Sequence, residues 1–207
     1  MVVIGDVNGT DGLDLWAAEI TGETSIWLFP GGAGTRMTTV RQKTYTQAAA
    51  GDLNNGLMRI GDITGDGTGD LIVGSPTKDT IYIVSGTAAD QTALSTVAKY
   101  VGTSTVNSNV WDFANNPTND VEMYDLDGDD VLDLFIGDID AATGNRVLVA
   151  KGPLGFNDLS EGSFYRVYRD GDVTVGSNIL FGDIDGDGLD DFILGSHLEL
   201  YVLAGLQ

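Results

Sequence analysis

The stretch DIDGDGLDDF, residues 183–192, is the last of four copies of one acidic pattern. The other copies are DVNGTDGLDL at residues 6–15, DITGDGTGDL at 62–71 and DLDGDDVLDL at 125–134. Their starts at residues 6, 62, 125 and 183 are 56, 63 and 58 residues apart. A period of about 60 residues predicts one supersecondary unit per copy. The expected repeats are 1–56, 57–119, 120–177 and 178–207, within a single domain.

Short apolar runs stand at fixed places around each acidic loop. Segment A precedes the loop, segment B follows it directly, segment C comes next, and a more polar segment D ends the repeat. Runs this short that are rich in Val, Ile and Phe predict strands. Segments A, B and C are predicted at 2–4, 13–16 and 26–29; at 57–60, 71–73 and 81–84; at 121–124, 134–136 and 147–149; and at 179–181, 192–194 and 200–203. Segment D is predicted around 37–42, 97–101 and 164–169, and an extension of the second D to 111–113 stays open.

These segments predict an all-β protein of about 15 strands, with residues 48–50 and 93–99 as the only places for a helical turn. Four-stranded units repeated at this period are typical of β-propeller blades. The prediction is three full four-stranded blades and a fourth that lacks its outer strand. A pair of β-sandwiches is the alternative, and it accounts less well for the regular A–loop–B hairpins.

The loops have the donor pattern of a hard-cation site. Oxygen side chains fall at positions 1, 3, 5 and 9, and the variable position 7 would offer its carbonyl. Ca²⁺ takes six to eight such oxygens, and without a cation the facing carboxylates would repel one another. We therefore predict up to four Ca²⁺ ions, one per repeat. The predicted ligands are Asp6, Asn8, Thr10, Gly12 and Asp14; Asp62, Thr64, Asp66, Thr68 and Asp70; Asp125, Asp127, Asp129, Val131 and Asp133; and Asp183, Asp185, Asp187, Leu189 and Asp191.

Two other interpretations of the loops are weaker. Asp and Gly also make simple tight turns, but four copies at a near-constant period disfavour that reading. An EF-hand needs a carboxylate at position 12 and a helix after it, whereas position 12 is apolar in all four copies. Gly67 and Gly188 at position 6 suit a positive φ, and Asp130 tolerates one there. Carboxylate counts predict that the third and fourth sites bind most tightly, then the second, then the first.

Composition narrows the possible functions. The chain has 31 acidic and 10 basic residues and a formal net charge of −21, which disfavours nucleic-acid binding. No stretch approaches the roughly 18 apolar residues of a membrane helix, so membrane insertion is not expected. The absence of cysteine and the single histidine exclude thiolate sites and sites that need two histidines. Since the motif carboxylates are assigned to cation binding, no catalytic residue is predicted and the chain is expected not to be an enzyme.

The pattern resembles the FG-GAP / VCBS repeats of integrin-α-like β-propellers. Phe181-Gly182 stands where that family has Phe-Gly, with Ile60-Gly61 and Ile4-Gly5 as relaxed versions, and Gly74-Ser75-Pro76 is similar to its Gly-Ala-Pro. The resemblance implies blades with segment A innermost and a Ca²⁺ loop between A and B. It also implies an extracellular or cell-surface setting and a role in adhesion or ligand recognition.

The expected function is therefore a calcium-stabilised extracellular adhesion or ligand-binding repeat module, with a protein or glycan ligand outside the cell. A lectin-like glycan-binding propeller and an accessory domain of a larger secreted enzyme are the alternatives. The repeats are fewer than the seven blades common in complete family rings. A larger ring, a closed four-blade ring and a ring of two chains all stay open. The unpaired apolar edge at Leu200–Leu203 favours self-association.

Overall fold

The structure of the protein, a computed structural model, describes residues 2–7, 12–18, 25–32, 42–46, 58–75, 80–90, 92–94, 97–101, 120–138, 146–155, 157, 159, 163, 165–168, 176, 178–195 and 199–204. The described part contains fifteen strands and is all-β, as predicted. The strands are β1 Val2–Gly5, β2 Asp14–Ala18, β3 Ser25–Phe29, β4 Lys43–Thr46, β5 Met58–Gly61, β6 Asp70–Ser75, β7 Thr80–Val84, β8 Ala98–Val101, β9 Val121–Tyr124, β10 Asp133–Asp138, β11 Arg146–Ala150, β12 Tyr165–Tyr168, β13 Asn178–Gly182, β14 Asp191–Gly195 and β15 Leu200–Leu203.

Each repeat forms one small antiparallel sheet with its strands in chain order. Sheet 1 contains β1–β4, sheet 2 β5–β8, sheet 3 β9–β12 and sheet 4 β13–β15. The predicted A, B and C segments are confirmed in all four repeats, and the described part of the fourth sheet has no D strand. Within the described residues every sheet is open and none closes into a barrel.

The D strand that the structure describes in the first repeat is β4, Lys43–Thr46, directly after the segment predicted around 37–42. Residue 42 is in no strand, and residues 37–41 lie outside the described residues. Tyr45 holds β4 in place, because its side chain is fully buried and its ring stacks on Trp16 with centroids 5.2 Å apart. The proposed helical turn at 48–50 and the extension at 111–113 also lie outside the described residues. In the segment 93–99, residues 98 and 99 belong to β8.

The acidic loops are the hairpin turns between strands A and B. Position 9 of each loop is the first residue of strand B and pairs with the last residue of strand A: Gly5 with Asp14, Gly61 with Asp70, Tyr124 with Asp133, and Gly182 with Asp191. Position 12, which is Ala17, Val73, Ile136 and Leu194, therefore lies inside a strand rather than a helix. The EF-hand alternative is excluded by this geometry.

Successive sheets pack face to face through three apolar clusters. Sheets 1 and 2 share a cluster that includes Trp16 and Leu71, sheets 2 and 3 share one with Ile72 and Leu134, and sheets 3 and 4 share one with Phe135 and Phe192. Along a strand, neighbouring side chains point to opposite faces, so Leu71 faces sheet 1 while Ile72 faces sheet 3. The two middle sheets therefore bury both faces, which explains their unbroken apolar runs.

The inner strands also follow one another in space. β1 contacts β5, β5 contacts β9, and β9 contacts β13. An ion-pair cluster joins this row, because Arg59 of β5 lies 3.0 Å from Asp120 and 2.9 Å from Glu122 of β9. Tyr82 and Tyr201 of the C strands pack in the clusters between sheets. Among the described residues no helix has the length and hydropathy to cross a bilayer.

Candidate metal centres

The carboxylate at position 1 organises the loop backbone in the second, third and fourth repeats. In each, its two oxygens accept hydrogen bonds from the backbone N–H groups of positions 4, 5 and 6. The donors are Gly65, Asp66 and Gly67 to Asp62; Gly128, Asp129 and Asp130 to Asp125; and Gly186, Asp187 and Gly188 to Asp183, with N···O distances of 2.6–3.2 Å. Three separate sequences thus close the same turn in the same way.

Two positions in these loops have the left-handed backbone conformation. At position 6, Gly67, Asp130 and Gly188 have φ of 82°, 66° and 87°, which confirms the prediction from the sequence. At position 4, Gly65, Gly128 and Gly186 have φ of 73°, 75° and 80°. Sequence reasoning missed position 4, although glycine at that place in every copy is a signal for a positive φ.

The carboxylate at position 5 completes the turn. Its Oδ1 accepts the backbone N–H of position 7 at 2.8–3.0 Å in the three loops. The donors are Thr68, Val131 and Leu189, which are the residues predicted to offer a carbonyl to the ion. The backbone of position 7 is therefore held close to the position 5 side chain.

The carboxylate at position 9 has a different role from the others, because it is buried and joins three strands. Asp14, Asp70, Asp133 and Asp191 are at most 2% exposed. In each loop, Oδ2 accepts the N–H of position 2, from Val7, Ile63, Leu126 and Ile184 respectively, at 2.9–3.1 Å. We name this set of bonds the position 9 latch.

The other oxygen of the latch binds a glycine that follows strand C. Oδ1 of Asp14, Asp70 and Asp133 accepts the N–H of Gly31, Gly86 and Gly152 at 2.7, 3.2 and 2.7 Å. These glycines lie two residues beyond the end of strand C, and Gly205 has the same place in the fourth repeat, outside the described residues. The latch therefore ties the loop to the third strand of its own sheet.

No side chain fits at these glycines. A Cβ on Gly31, Gly86 or Gly152 would lie 2.0, 2.4 or 2.5 Å from the carbonyl oxygen of loop position 8, which is Leu13, Gly69 or Leu132. Sequence reasoning missed their function, although a glycine at the same distance after every strand C is a detectable signal.

The predicted ligands converge to different extents in the four loops. In the third loop, carboxylate oxygens of Asp125, Asp127 and Asp129 lie within 4.8 Å of one another, and in the fourth loop those of Asp183, Asp185 and Asp191 do so. The second loop is fully described and brings no such trio together. In the first loop, Asn8 and Thr10 lie outside the described residues, whereas Asp6 is exposed and Asp14 is buried.

The donor chemistry of the third and fourth loops fits a hard cation. Each carboxylate oxygen has two lone pairs, so the hydrogen bonds from backbone amides leave capacity for an ion. Three carboxylate oxygens within 4.8 Å repel one another unless a positive charge lies between them. Burial raises the pKa of Asp133, and the nearby charges of Asp127 and Asp129 raise it further, while amide hydrogen bonds oppose the shift.

A lysine provides that positive charge in the third loop. The ammonium group of Lys151 pairs with Asp127, and it lies 3.8 Å from Oδ2 of Asp129. The hydrogen bond that Lys151 donates to Asp127 raises the pKa of the lysine, so its side chain is charged at neutral pH. The residue that follows strand C is Pro30, Ser85 or Ala204 in the other repeats. The third and fourth loops have the same number of predicted carboxylate ligands, but only the third of these two has a lysine after strand C that pairs with one of them.

The residue at position 8 of the fourth loop contacts the neighbouring sheet instead of its own loop. Asp190 Oδ2 accepts a hydrogen bond of 2.8 Å from the Tyr124 hydroxyl at the end of β9. Tyr124 also stacks on Phe181, with ring centroids 4.2 Å apart. Asp190 is therefore a carboxylate of the fourth loop whose partner lies in the neighbouring sheet.

No protein-family description matches the chain, and no curated protein is significantly similar to it.

Proposed function

We propose that the chain is a non-enzymatic, calcium-stabilised repeat module of the β-propeller type, of the kind that its FG-GAP / VCBS-like motifs suggest, and that it acts outside the cell in adhesion or ligand binding. The observation that carries the proposal is the acidic hairpin loop. Three loops have the same closing hydrogen bonds, and two of them gather three carboxylate oxygens within 4.8 Å.

In this proposal the ions stabilise the sheets and leave the recognition of a ligand to the surrounding loops. In the third and fourth loops, the carboxylates at positions 3 and 5 are exposed, and the one at position 9 is buried. An ion held by these carboxylates would remove their mutual repulsion. The position 9 latch connects the loop to the glycine that follows strand C. A bound ion would therefore stabilise the arrangement of strands A, B and C in the same sheet.

The expected affinity suits an extracellular protein. Extracellular calcium modules bind with Kd on the order of 10⁻⁴–10⁻³ M, which matches millimolar calcium outside cells and not the cytosolic level. The thirteen Asp residues among the predicted ligands account for much of the acidic excess of the chain. Partial neutralisation would still leave a strongly negative and well-solvated surface.

Isothermal titration calorimetry of calcium into chelator-treated protein tests the proposal. We expect the Asp185→Asn variant to lose one binding event or to bind there at least about tenfold more weakly, because a ligand loses its charge while its shape is kept. Asp185 accepts only the N–H of Asp187 among its described hydrogen bonds, and an asparagine oxygen can still accept that bond. The fold should therefore survive the change.

Asp190→Asn is the matched control. It makes the same change of charge in the same loop, and an asparagine oxygen can still accept the Tyr124 hydroxyl. We expect it to leave the number of binding events unchanged. A wild-type protein that takes up no calcium, or an equal loss in both variants, would contradict the proposed site.

Lys151→Met should strengthen calcium binding to the third loop. The Lys151 ammonium group pairs with Asp127, so a calcium ion bound to this carboxylate must either displace the ammonium group or lie close to its positive charge. Removing this competitor should raise the affinity of the third loop by about twofold to fivefold at low ionic strength, and by less in high salt. In the Asp185→Asn background the fourth loop is weakened, so the tightest binding event that calorimetry records is expected to be that of the third loop. Lys151→Arg keeps the charge and should bind like the wild type, whereas a gain in Lys151→Arg as well would argue against competition.

A further inference from the structure

The chain exposes two different halves of the interface that it uses three times internally. In each of the two middle sheets, one face packs on the preceding sheet and the opposite face packs on the following sheet. We call these the front face and the back face. Sheet 1 has no preceding sheet and sheet 4 has no following one among the described residues, so no described sheet covers the front face of sheet 1 or the back face of sheet 4.

The front face of sheet 1 contains Val2, Ile4, Leu15 and Phe29. The residues at the same places in sheet 2 are Met58, Ile60, Leu71 and Val84, and all four belong to the cluster shared with sheet 1 or pack against it. In sheet 1, Val2 and Ile4 are instead 65% and 59% exposed. The face is therefore built from the same kind of residues as a buried front face.

The back face of sheet 4 contains Leu180, Leu200 and Val202, beside the buried Ile193 with which Leu180 and Val202 pair. The matching residues of sheet 1 are Val3, Ile26 and Leu28, which pack against sheet 2. In sheet 4, Leu180, Leu200 and Val202 are 55%, 66% and 47% exposed. Contiguous apolar residues exposed on one surface mark an interaction site.

We propose that the back face of sheet 4 binds the front face of sheet 1 in a second copy of the chain. The partner is argued from continuity with the three internal interfaces, each of which joins a back face to a front face of the same repeat type. This contact is heterologous, because two different surfaces meet. It differs from pairing along the edge of β15, and it does not depend on the metal proposal, because it involves none of the loop carboxylates.

Light scattering after size-exclusion chromatography tests the contact. We expect the wild-type chain to have at least twice the 21.8 kDa mass of one copy. Because each copy has a net charge of −21, association should become tighter as salt screens the repulsion between copies. A mass of one copy at every salt and protein concentration would overturn the proposal.

Two variants distinguish this contact from other modes of association. Ile4→Lys alters only the front face of sheet 1, and Leu180→Lys alters only the back face of sheet 4. Each should weaken self-association at least about tenfold, since a lysine is placed in an apolar interface. A mixture of the two variants should associate again, because each supplies the intact face that the other lacks.

Tyr165→Lys is the control, since Tyr165 is an exposed residue of β12 in sheet 3 and belongs to neither of the two outer faces. We expect its mass to equal that of the wild type. Circular dichroism confirms that the variants remain folded, as the altered side chains are exposed. If either variant alone associates like the wild type, or if the mixture stays at the mass of one copy, the head-to-tail contact is wrong.

Discussion

Saturating calcium is expected to raise the free energy of unfolding by about 2.7 kcal/mol for each occupied loop when the free ion is at 100 times its Kd. With the third and fourth loops occupied, the total would be about 5 kcal/mol. For a chain of this size, that corresponds to a rise in melting temperature of about 10–20 °C. For a Kd of about 10⁻⁴ M, calcium near 10 mM reaches this condition. The measurement is thermal melting followed by circular dichroism, in excess calcium and then in chelator.

Two controls are needed for this melting experiment. Any salt screens the repulsion of a chain with net charge −21, so sodium chloride at matched ionic strength gives the non-specific shift. Magnesium tests selectivity, because it demands a stricter octahedral geometry. Asp187→Ala and Asp129→Ala should each reduce the calcium shift more than Thr10→Ala. Equal melting temperatures in calcium and in matched sodium chloride would contradict the metal proposal.

Breaking the position 9 latch of the second sheet should destabilise the protein even without metal. Asp70 accepts the N–H groups of Ile63, Thr64 and Gly86. In Asp70→Ala these donors lose their acceptor, and each unpaired donor that is buried costs about 1–3 kcal/mol. We expect a loss of roughly 4 kcal/mol in the free energy of unfolding. Chemical denaturation in chelator measures this loss separately from any loss of metal binding.

Gly86→Ala breaks the same latch from its other end. The added Cβ would lie 2.4 Å from the carbonyl oxygen of Gly69 and 2.9 Å from that of Val7. Both contacts are with backbone, so the strand ends must move apart, and we expect a loss of about 3 kcal/mol. Gly182→Ala is the matched control, because its Cβ would meet nothing within 4 Å. Equal stability of the two alanine variants would refute a structural role for the latch glycine.

Much of the fold could be predicted because each sheet is a local structure. The acidic loop and the runs on either side of it are neighbours in sequence, and a run such as Leu71–Val73 is apolar at every position because both faces of its sheet are covered. The position of β4 could not be predicted in this way. It depends on Tyr45 reaching Trp16 across the sheet, a tertiary contact that local patterns do not encode.

In the candidate site, too, the roles of residues within one loop could be predicted from the sequence, whereas the roles of residues from a distant part of the chain could not. Positions 1, 5 and 6 act within one turn, so their spacing indicates their roles, and the positive φ of Asp130 follows from its place alone. Gly152 and Lys151 act on the third loop from the end of strand C, nineteen and eighteen residues after Asp133. Their effects become visible only once the third strand lies beside the loop.

The position 9 latch has a consequence for how this array would open. The latch forms within one repeat, whereas the apolar clusters lie between repeats. The free energy of unfolding is therefore the sum of a contribution from each sheet and a contribution from each contact between neighbouring sheets. Among the described sheets, the first and the fourth have one neighbour each within the chain, and the second and third have two. In a single copy of these four sheets, local unfolding would therefore begin at the first and fourth units and spread inward, one unit at a time.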